Sequence, residues 1–384
     1  MSPAPSGRYS RPRGEPTTLA LAASLDKSHP SLRSAGGIAQ GRSESALAGV
    51  SVVQREEPAV GASGVLRGVD PNQCGVSSAH QALLYGSQEE FLAGVVPFVR
   101  DGLKCGDPVR IATTDRNAGW LRAALGVDAR EVAFCDDSQW SGHPVRALAA
   151  LQGIVQAASS DGRRLRMIGE RLWTAHSAPE TREWVRHESL VNAVLTVGDA
   201  ALMCTYDTRV VDPDVVANVA RTHPELVVHG EPRPSPGYTD PAAFNAEFNK
   251  SPLPELLSPA LWLRFRRLDQ LAILRTFVAS HATQAGAAAQ SVGQFVQAVD
   301  EVATNAVEHG GGSGVLQIWT GPHTIVCEVS DTGAGLRDPL AGQLPPDRFT
   351  AHGHGLWLAR QFSDLLELHS DSAGTTVRLH LTLH

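Results

Sequence analysis

QSVGQFVQAVDEVATNAVEHG, Gln290 to Gly310, decides how the last third of the chain is read. Val292, Phe295, Val296, Val299, Val302, Ala303 and Ala306 recur at spacings of three and four, which sets them on one side of a helix. At about 100° per residue, Glu301 and Asn305 point the other way, one turn apart on a shared face. Standing alone, such a polar pair reads as a solvated helix face. Three glycine-bearing stretches nearer the carboxyl terminus change that reading.

Downstream, the apolar strand TIVCEVS runs into Asp331, and DTGAG (Asp331–Gly335) forms a glycine-rich turn. Next come a Pro- and Gly-rich stretch, LRDPLAGQLPPDRFTA, then HGHGLWLA (His352–Ala359) and GTTVRLHL (Gly374–Leu381). Gly353 and Gly355 precede LWLARQFSDLLEL, an expected helix with apolar Leu356, Leu358, Phe362 and Leu365. A glycine-rich entry to a helix suits phosphate, because unpaired N–H groups and the helix dipole converge there. Upstream, LWLRF (261–265) reads as a strand, followed by a helix burying Leu268, Leu271, Leu274 and Val278.

In this order, the four elements resemble the N, G1 and G2 boxes and final Gly-Thr strand of Bergerat-type (GHKL) ATPases, over about Leu261 to His384. The resemblance implies an α/β sandwich that binds ATP with Mg²⁺. Asn305 would ligate the metal, an ion that prefers hard oxygen donors and keeps several waters. Glu301 would polarise the attacking hydroxyl or water. Asp331 would accept the adenine amino group, since a carboxylate is an acceptor only. Gly333 and Gly335 would let backbone approach the nucleotide without a Cβ in the way. Gly353, Gly355 and His354 would meet phosphate, though the two lid histidines, His352 and His354, equally suit exposed positions. Thr375 is the matching hydroxyl of the last box. The stretch between G1 and G2 would be a short lid, mobile until ATP binds.

TNAVEHG and GLWLARQFSD make this module similar to the anti-sigma-factor serine-kinase branch. Members bind a sigma factor and phosphorylate Ser or Thr on an antagonist protein, so those two proteins are the implied partners, and transcription regulation the implied role. Enzymatic activity as a protein serine/threonine kinase is the expectation. Two other readings stand beside it: an unorthodox sensor histidine kinase, and a kinase-inactive module that binds partners in a nucleotide-dependent way. RHESL (Arg186–Leu190) superficially resembles a phosphoacceptor site, but lacks the following Pro and lies in another helical pattern.

Between Ala79 and about Val228 strands and helices alternate. AHQALLY, DPVRIAT, EVAFC, RLRMIGE and DAALMCTY are runs of strand length, separated by longer helical stretches. That alternation predicts a mostly parallel sheet with helices on both faces. No phosphate-binding glycine fingerprint accompanies it. The segment from about Ser78 to Tyr238 resembles the MEDS family of sensory domains. Ligands of such sheets bind at strand carboxyl ends, which points to the neighbourhood of His80 and to Glu170, Arg171 and Asp207. The expected organisation is a disordered tail at 1–75, a MEDS-like sensory domain at 76–240, a Pro-rich linker at 241–258 and the ATPase domain at 259–384.

With 384 residues, a formal charge of −7 and 42% hydrophobic residues, the chain has the make-up of a globular protein with two domains and no broad affinity for nucleic acid or anionic membrane. No apolar run reaches the ~18 residues of a membrane span, so a cytoplasmic location is expected. A homodimer is open. Five scattered cysteines without C-x-x-C or paired histidines at zinc spacing read as buried thiols. Cys204 looks like core, and Cys105, in KCGDP, is the one to test for reactivity.

Overall fold

The computed structural model describes residues 79–135, 143–160, 163–171, 173, 176–195, 200–255, 260–345 and 354–383. The expected tail, Cys74, His352 and Gly353 lie outside these.

The first half is a seven-stranded sheet. Its strands are β1 (His80–Tyr85), β2 (Val109–Ala112), β3 (Val132–Cys135), β4 (Leu165–Glu170), β5 (Ala200–Asp207), β6 (Glu225–Val228) and β7 (Glu231–Pro234), in the order β3-β2-β4-β5-β1-β6-β7. All neighbours are parallel except the β6–β7 pair. Helices α1 (Gln88–Cys105), α2 (Asp115–Leu125), α3 (Pro144–Ser160), α4 (Ala178–Val194) and α5 (Pro213–Thr222) supply the crossovers. Two separate apolar clusters, one built around Phe91, Val95 and Ile111 and the other around Leu148, Trp184 and Leu190, mark the two packed faces. The helix starts follow capping chemistry. Ser87 accepts from the Glu90 N–H, and Ser177 with Glu180 forms a capping box before α4. Cys105 is disulfide-bonded rather than a free thiol.

A Pro-rich stretch closes the first sheet. Glu231–Pro234 pairs antiparallel with β6 across a tight His229–Gly230 turn, with φ of 53° and 81°. An edge strand tolerates Pro232 and Pro234 because half its backbone groups need no ladder partner. Asp240 then caps α6 (Pro241–Asn249), accepting from the Ala242 and Ala243 N–H groups, and Pro241 stands where a helix lacks intrahelical donors anyway.

The second half is a five-stranded antiparallel sheet. Its strands are β8 (Leu261–Phe265), β9 (Gly314–Thr320), β10 (Thr324–Asp331), β11 (Leu365–Asp371) and β12 (Gly374–Thr382), in the order β11-β12-β10-β9-β8. Helices α7 (Leu271–Gln284), α8 (Ala289–Glu308) and α9 (Gly355–Phe362) cover one face. Phe295, Val299, Val302, Ala303 and Ala306 of α8 are buried there as the spacing predicts. Two expectations fail. Leu268 is 49% exposed in a short 3-10 turn before α7. The helix expected to run to Leu365 stops at Phe362, where Ser363 turns extended, and Leu365 opens β11. Leu365, Leu366 and Leu368 suit either element, and pairing with β12 decides.

The two sheets meet along α4, α6, α9 and β11. Arg360 of α9, 2% exposed, donates to Glu183 of α4 at 3.1 Å. Arg186 of α4 donates to Asn245 and Asn249 at 3.2 and 2.6 Å. Oriented to satisfy its neighbours, the Gln343 carboxamide oxygen accepts from Arg186 at 3.0 Å and from Arg360 at 2.8 Å. Leu340 and Leu344 pack against the apolar cluster of the first half. The described part of the expected lid is therefore anchored by burial rather than loose.

Candidate functional site

A cleft of about 540 Å³ opens between α8, the end of β10, the turn after it and α9, within the size range of small-molecule sites. Glu301 and Asn305 line it from α8, Asp331 and Gly335 from the turn, His354 and Gly355 from the start of α9, and Thr375 from β12. Residues separated by up to seventy-odd positions thus share one cavity. Gly333 is not part of the wall. Its N–H donates to Asp331 Oδ1 at 2.9 Å, so it shapes the turn from behind.

The start of α9 sits directly on the polar face of α8. A Cβ at Gly355 would stand 2.8 Å from Glu301 Oε2 and 3.3 Å from Asn305 Nδ2. Only glycine leaves that gap open, and it aims the amino end of α9 at the carboxylate and the amide. Gly335 has φ of +77°, and a Cβ there would overlap the Asp371 carbonyl oxygen at 2.2 Å. The turn is thereby pressed onto the end of β11.

Asp331 is half-buried and has its two oxygens in different surroundings. Oδ1 accepts from the Gly333 and Thr375 N–H groups at 2.9 and 3.2 Å. The carboxyl lies against Gly310, where a Cβ would come within 2.5 Å of Oδ2. Burial pushes its pKa above the usual aspartate value, and the two backbone N–H bonds oppose that. Glu301 is also raised, by burial first and by the neighbouring Asp300 second. A fixed, partly desolvated carboxylate is an acceptor ready for an N–H donor.

Three contributors are given no role by the sequence, although Gly310 closes the TNAVEHG stretch. Ser370 of β11 accepts from the Leu336 N–H at 2.8 Å and meets the Thr375 hydroxyl at 3.0 Å, tying the turn to the last strand. Gly310 makes room for the Asp331 carboxyl. Gly342, with φ of +67°, lies where a Cβ would meet Leu356 at 2.3 Å. Each is a residue type that sequence alone assigns to ordinary turns.

Glu301, Glu308 and Asp331 give the cleft an acidic wall, and its described lining holds no Lys or Arg. A polyphosphate can enter such a cleft only with a cation and with the donor groups of a helix start. The lining fits that need: the Asn305 amide, whose oxygen is the kind of hard donor Mg²⁺ takes, faces the cleft beside the start of α9.

Comparison with known proteins agrees with the two halves. Residues 79–224 match the MEDS family, described as the methanogen/methylotroph, DcmR sensory domain. Residues 266–381 match the family of histidine kinase-like ATPase domains. The chain therefore carries a MEDS domain followed by a histidine kinase-like ATPase domain, a GHKL-type fold. Among solved structures, the chain is similar to the RsbU and RsbW domains of Rv1364c from Mycobacterium tuberculosis, at 21% identity over 32% of each chain with a TM-score of 0.25. The comparison with curated proteins returned no match. No helix among the described residues is long and apolar enough to cross a membrane.

Proposed function

We propose that this chain is an ATP-dependent anti-sigma regulator: it binds Mg-ATP in the cleft, docks a sigma factor or its antagonist, and phosphorylates a Ser or Thr of the antagonist. The observation that carries the reading is the convergence of Glu301, Asn305, Asp331, Gly335, Gly355 and Thr375 on one cavity of nucleotide size. Bound magnesium would neutralise phosphate charge and orient the terminal phosphoryl group. Asn305 would hold that ion through its amide oxygen. Asp331 would take the adenine amino group on Oδ2, because Oδ1 is already engaged by backbone. Gly355 would give the phosphates access to the N–H groups opening α9. Glu301 would accept the proton of the incoming partner hydroxyl, and burial, with Asp300 beside it, raises its pKa and so its strength as a base.

Partner docking is supported by β8, an edge strand with unpaired backbone whose Leu261 and Trp262 are 56% and 60% exposed. Apolar groups on an open strand suit another protein, either a partner or a second copy. Control by the MEDS domain is supported by the contact between the halves. Glu183 and Arg186 of α4 hold Arg360 of α9 and Gln343 of the lid segment, whose Ala341 and Gly342 line the cleft. A shift of α4 would therefore be felt at the nucleotide.

The histidine-kinase reading is disfavoured by His187. It is buried, its Nδ1 meets the Pro144 carbonyl at 2.8 Å, and burial with Arg171 nearby pushes its pKa down to about 4. The deciding experiment incubates the purified chain and its co-purified partner with γ-labelled ATP. Acid-stable label on partner Ser or Thr, lost in Glu301→Ala and kept in His187→Ala, is expected. Acid-labile label on the chain itself that disappears in His187→Ala would overturn the proposal.

A further inference from the structure

The MEDS half holds a second group of chemically reactive side chains, away from the cleft. His80 of β1, Glu188 of α4, Cys204 of β5 and His223, just after α5, converge in the interior, and one donor atom from each lies within 4.8 Å of all the others. His80 Nε2 is 3.3 Å from Cys204 Sγ and 3.8 Å from Glu188 Oε2. Glu188 Oε2 is 3.4 Å from Cys204 Sγ and 3.7 Å from His223 Nε2. Bonds of about 2.0–2.3 Å to a central tetrahedral zinc put its ligand atoms about 3.3–3.8 Å apart. Four of the six separations fall in that range, and all six are within 4.8 Å.

The surrounding hydrogen bonds point the lone pairs inward. Asn192 Nδ2 donates to the Thr222 and Ser189 carbonyls at 2.7 and 3.1 Å, which turns its Oδ1 toward His80 Nδ1 at 3.0 Å. His80 Nδ1 must therefore carry the proton, leaving Nε2 unprotonated toward the cluster. His223 Nδ1 donates to the Val219 carbonyl at 2.9 Å in the same way. His223 is fully buried and its Nε2 has no hydrogen-bond partner. Two unprotonated imidazole nitrogens thus face one carboxylate oxygen, and among the described residues the only proton the four groups share is that of the Cys204 thiol, which donates to Glu188 Oε2 at 3.4 Å. The bonds to Asn192 and Val219 are the outer-shell arrangement that orients metal-bound histidines.

We propose that His80, Glu188, Cys204 and His223 form a binding site for a zinc-class divalent cation inside the MEDS half. Two neutral imidazoles, one carboxylate and one thiolate bring two negative charges to a 2+ ion, and Arg171, 3.8 Å from the other Glu188 oxygen, leaves one positive charge at the edge of the group. On binding, the Cys204 thiol releases its proton to solvent and the sulfur bonds the metal; no oxidant or reductant takes part. Mixed nitrogen, sulfur and oxygen donors favour zinc, cobalt or iron(II) over magnesium or calcium. Glu188 and Cys204 also line a neighbouring cavity of about 60 Å³ together with Trp173 and Tyr206, space for a few waters or a very small ligand beside the ion. The site braces α4, the helix whose Glu183 and Arg186 reach the ATPase half.

The test titrates the chelator-stripped full chain with Co²⁺ and reads its absorption, followed by Zn²⁺ competition and elemental analysis. One equivalent of tightly bound ion, visible tetrahedral cobalt bands and a near-ultraviolet thiolate-to-cobalt band are expected. Zinc should displace the cobalt, and Cys204→Ser should lose the thiolate band. Asn192→Ala, which removes an orienting group and no ligand, should weaken cobalt binding by roughly 10- to 100-fold with unchanged circular dichroism. Absence of the thiolate band in the wild-type chain, or its survival in folded Cys204→Ser, overturns the proposal. So does an unchanged affinity in Asn192→Ala.

Discussion

Asp331→Asn is the substitution that the site geometry resolves most sharply. Two backbone N–H groups, from Gly333 and Thr375, fix one side of the carboxyl. An asparagine must keep its only oxygen on that side, because a turned amide would set its NH₂ against two donors. The NH₂ then faces the place where Oδ2 would accept the adenine amino group, and an acceptor becomes a donor. A hydrogen bond to a charged group contributes about 1.5–3 kcal/mol, equivalent to roughly 10- to 100-fold in Kd. The fold should hardly change, since both backbone bonds survive. Fluorescent ATP-analogue titration with thermal unfolding alongside reads both quantities. A Kd for ATP weakened by that factor at near-constant Tm is expected, together with a smaller preference for ATP over GTP. Equal ATP affinity in a folded Asp331→Asn protein would refute the placement of adenine against this carboxyl.

Three further outcomes rest on the same geometry. Gly355→Ala should leave Tm nearly unchanged, because Gly355 is the first residue of α9, where alanine gains little, and the nearest atom is the movable end of the Glu301 side chain. Its Cβ would stand 2.8 Å from Glu301 Oε2, so calorimetric Mg-ATP affinity should fall by roughly tenfold or more. Arg360→Met leaves Glu183 buried with Arg186, at 3.3 Å, as its remaining charged neighbour among the described residues. Urea unfolding should show a loss of about 3–5 kcal/mol, and adding Glu183→Gln should recover part of it; strict additivity would sink the coupling. The acid limb of phosphotransfer should lie above the usual glutamate range, because Glu301 is raised by burial and Asp300. A group raised on folding binds its proton more tightly in the native state, so as pH falls through that raised pKa the base form is lost and the rate declines. A limb at or below the ordinary glutamate value, measured as kcat against pH, counts against Glu301 as the base.

The sequence by itself determined the elements whose pattern is local. The strand-length runs at 79–85, 107–113, 131–135, 164–170, 199–206 and 261–265, each overlapping a strand, and the α8 stripe from Val292 to Ala306 come from local apolar pattern alone. So did the order of the glycine-rich boxes, since a Gly beside Asp331 or before α9 is a local requirement of the backbone. Tertiary structure decided what depends on a distant partner. Leu365 joined a strand because β12 offers a ladder, and Pro232 and Pro234 entered a strand because β6 had a free edge. The lid segment became anchored because Gln343 and Leu340 found α4 and its apolar neighbours. His80, Glu188, Cys204 and His223 show the limit most plainly. No spacing in the chain links them, and only the packing of β1 and β5 against α4 and the end of α5 brings their donor atoms together.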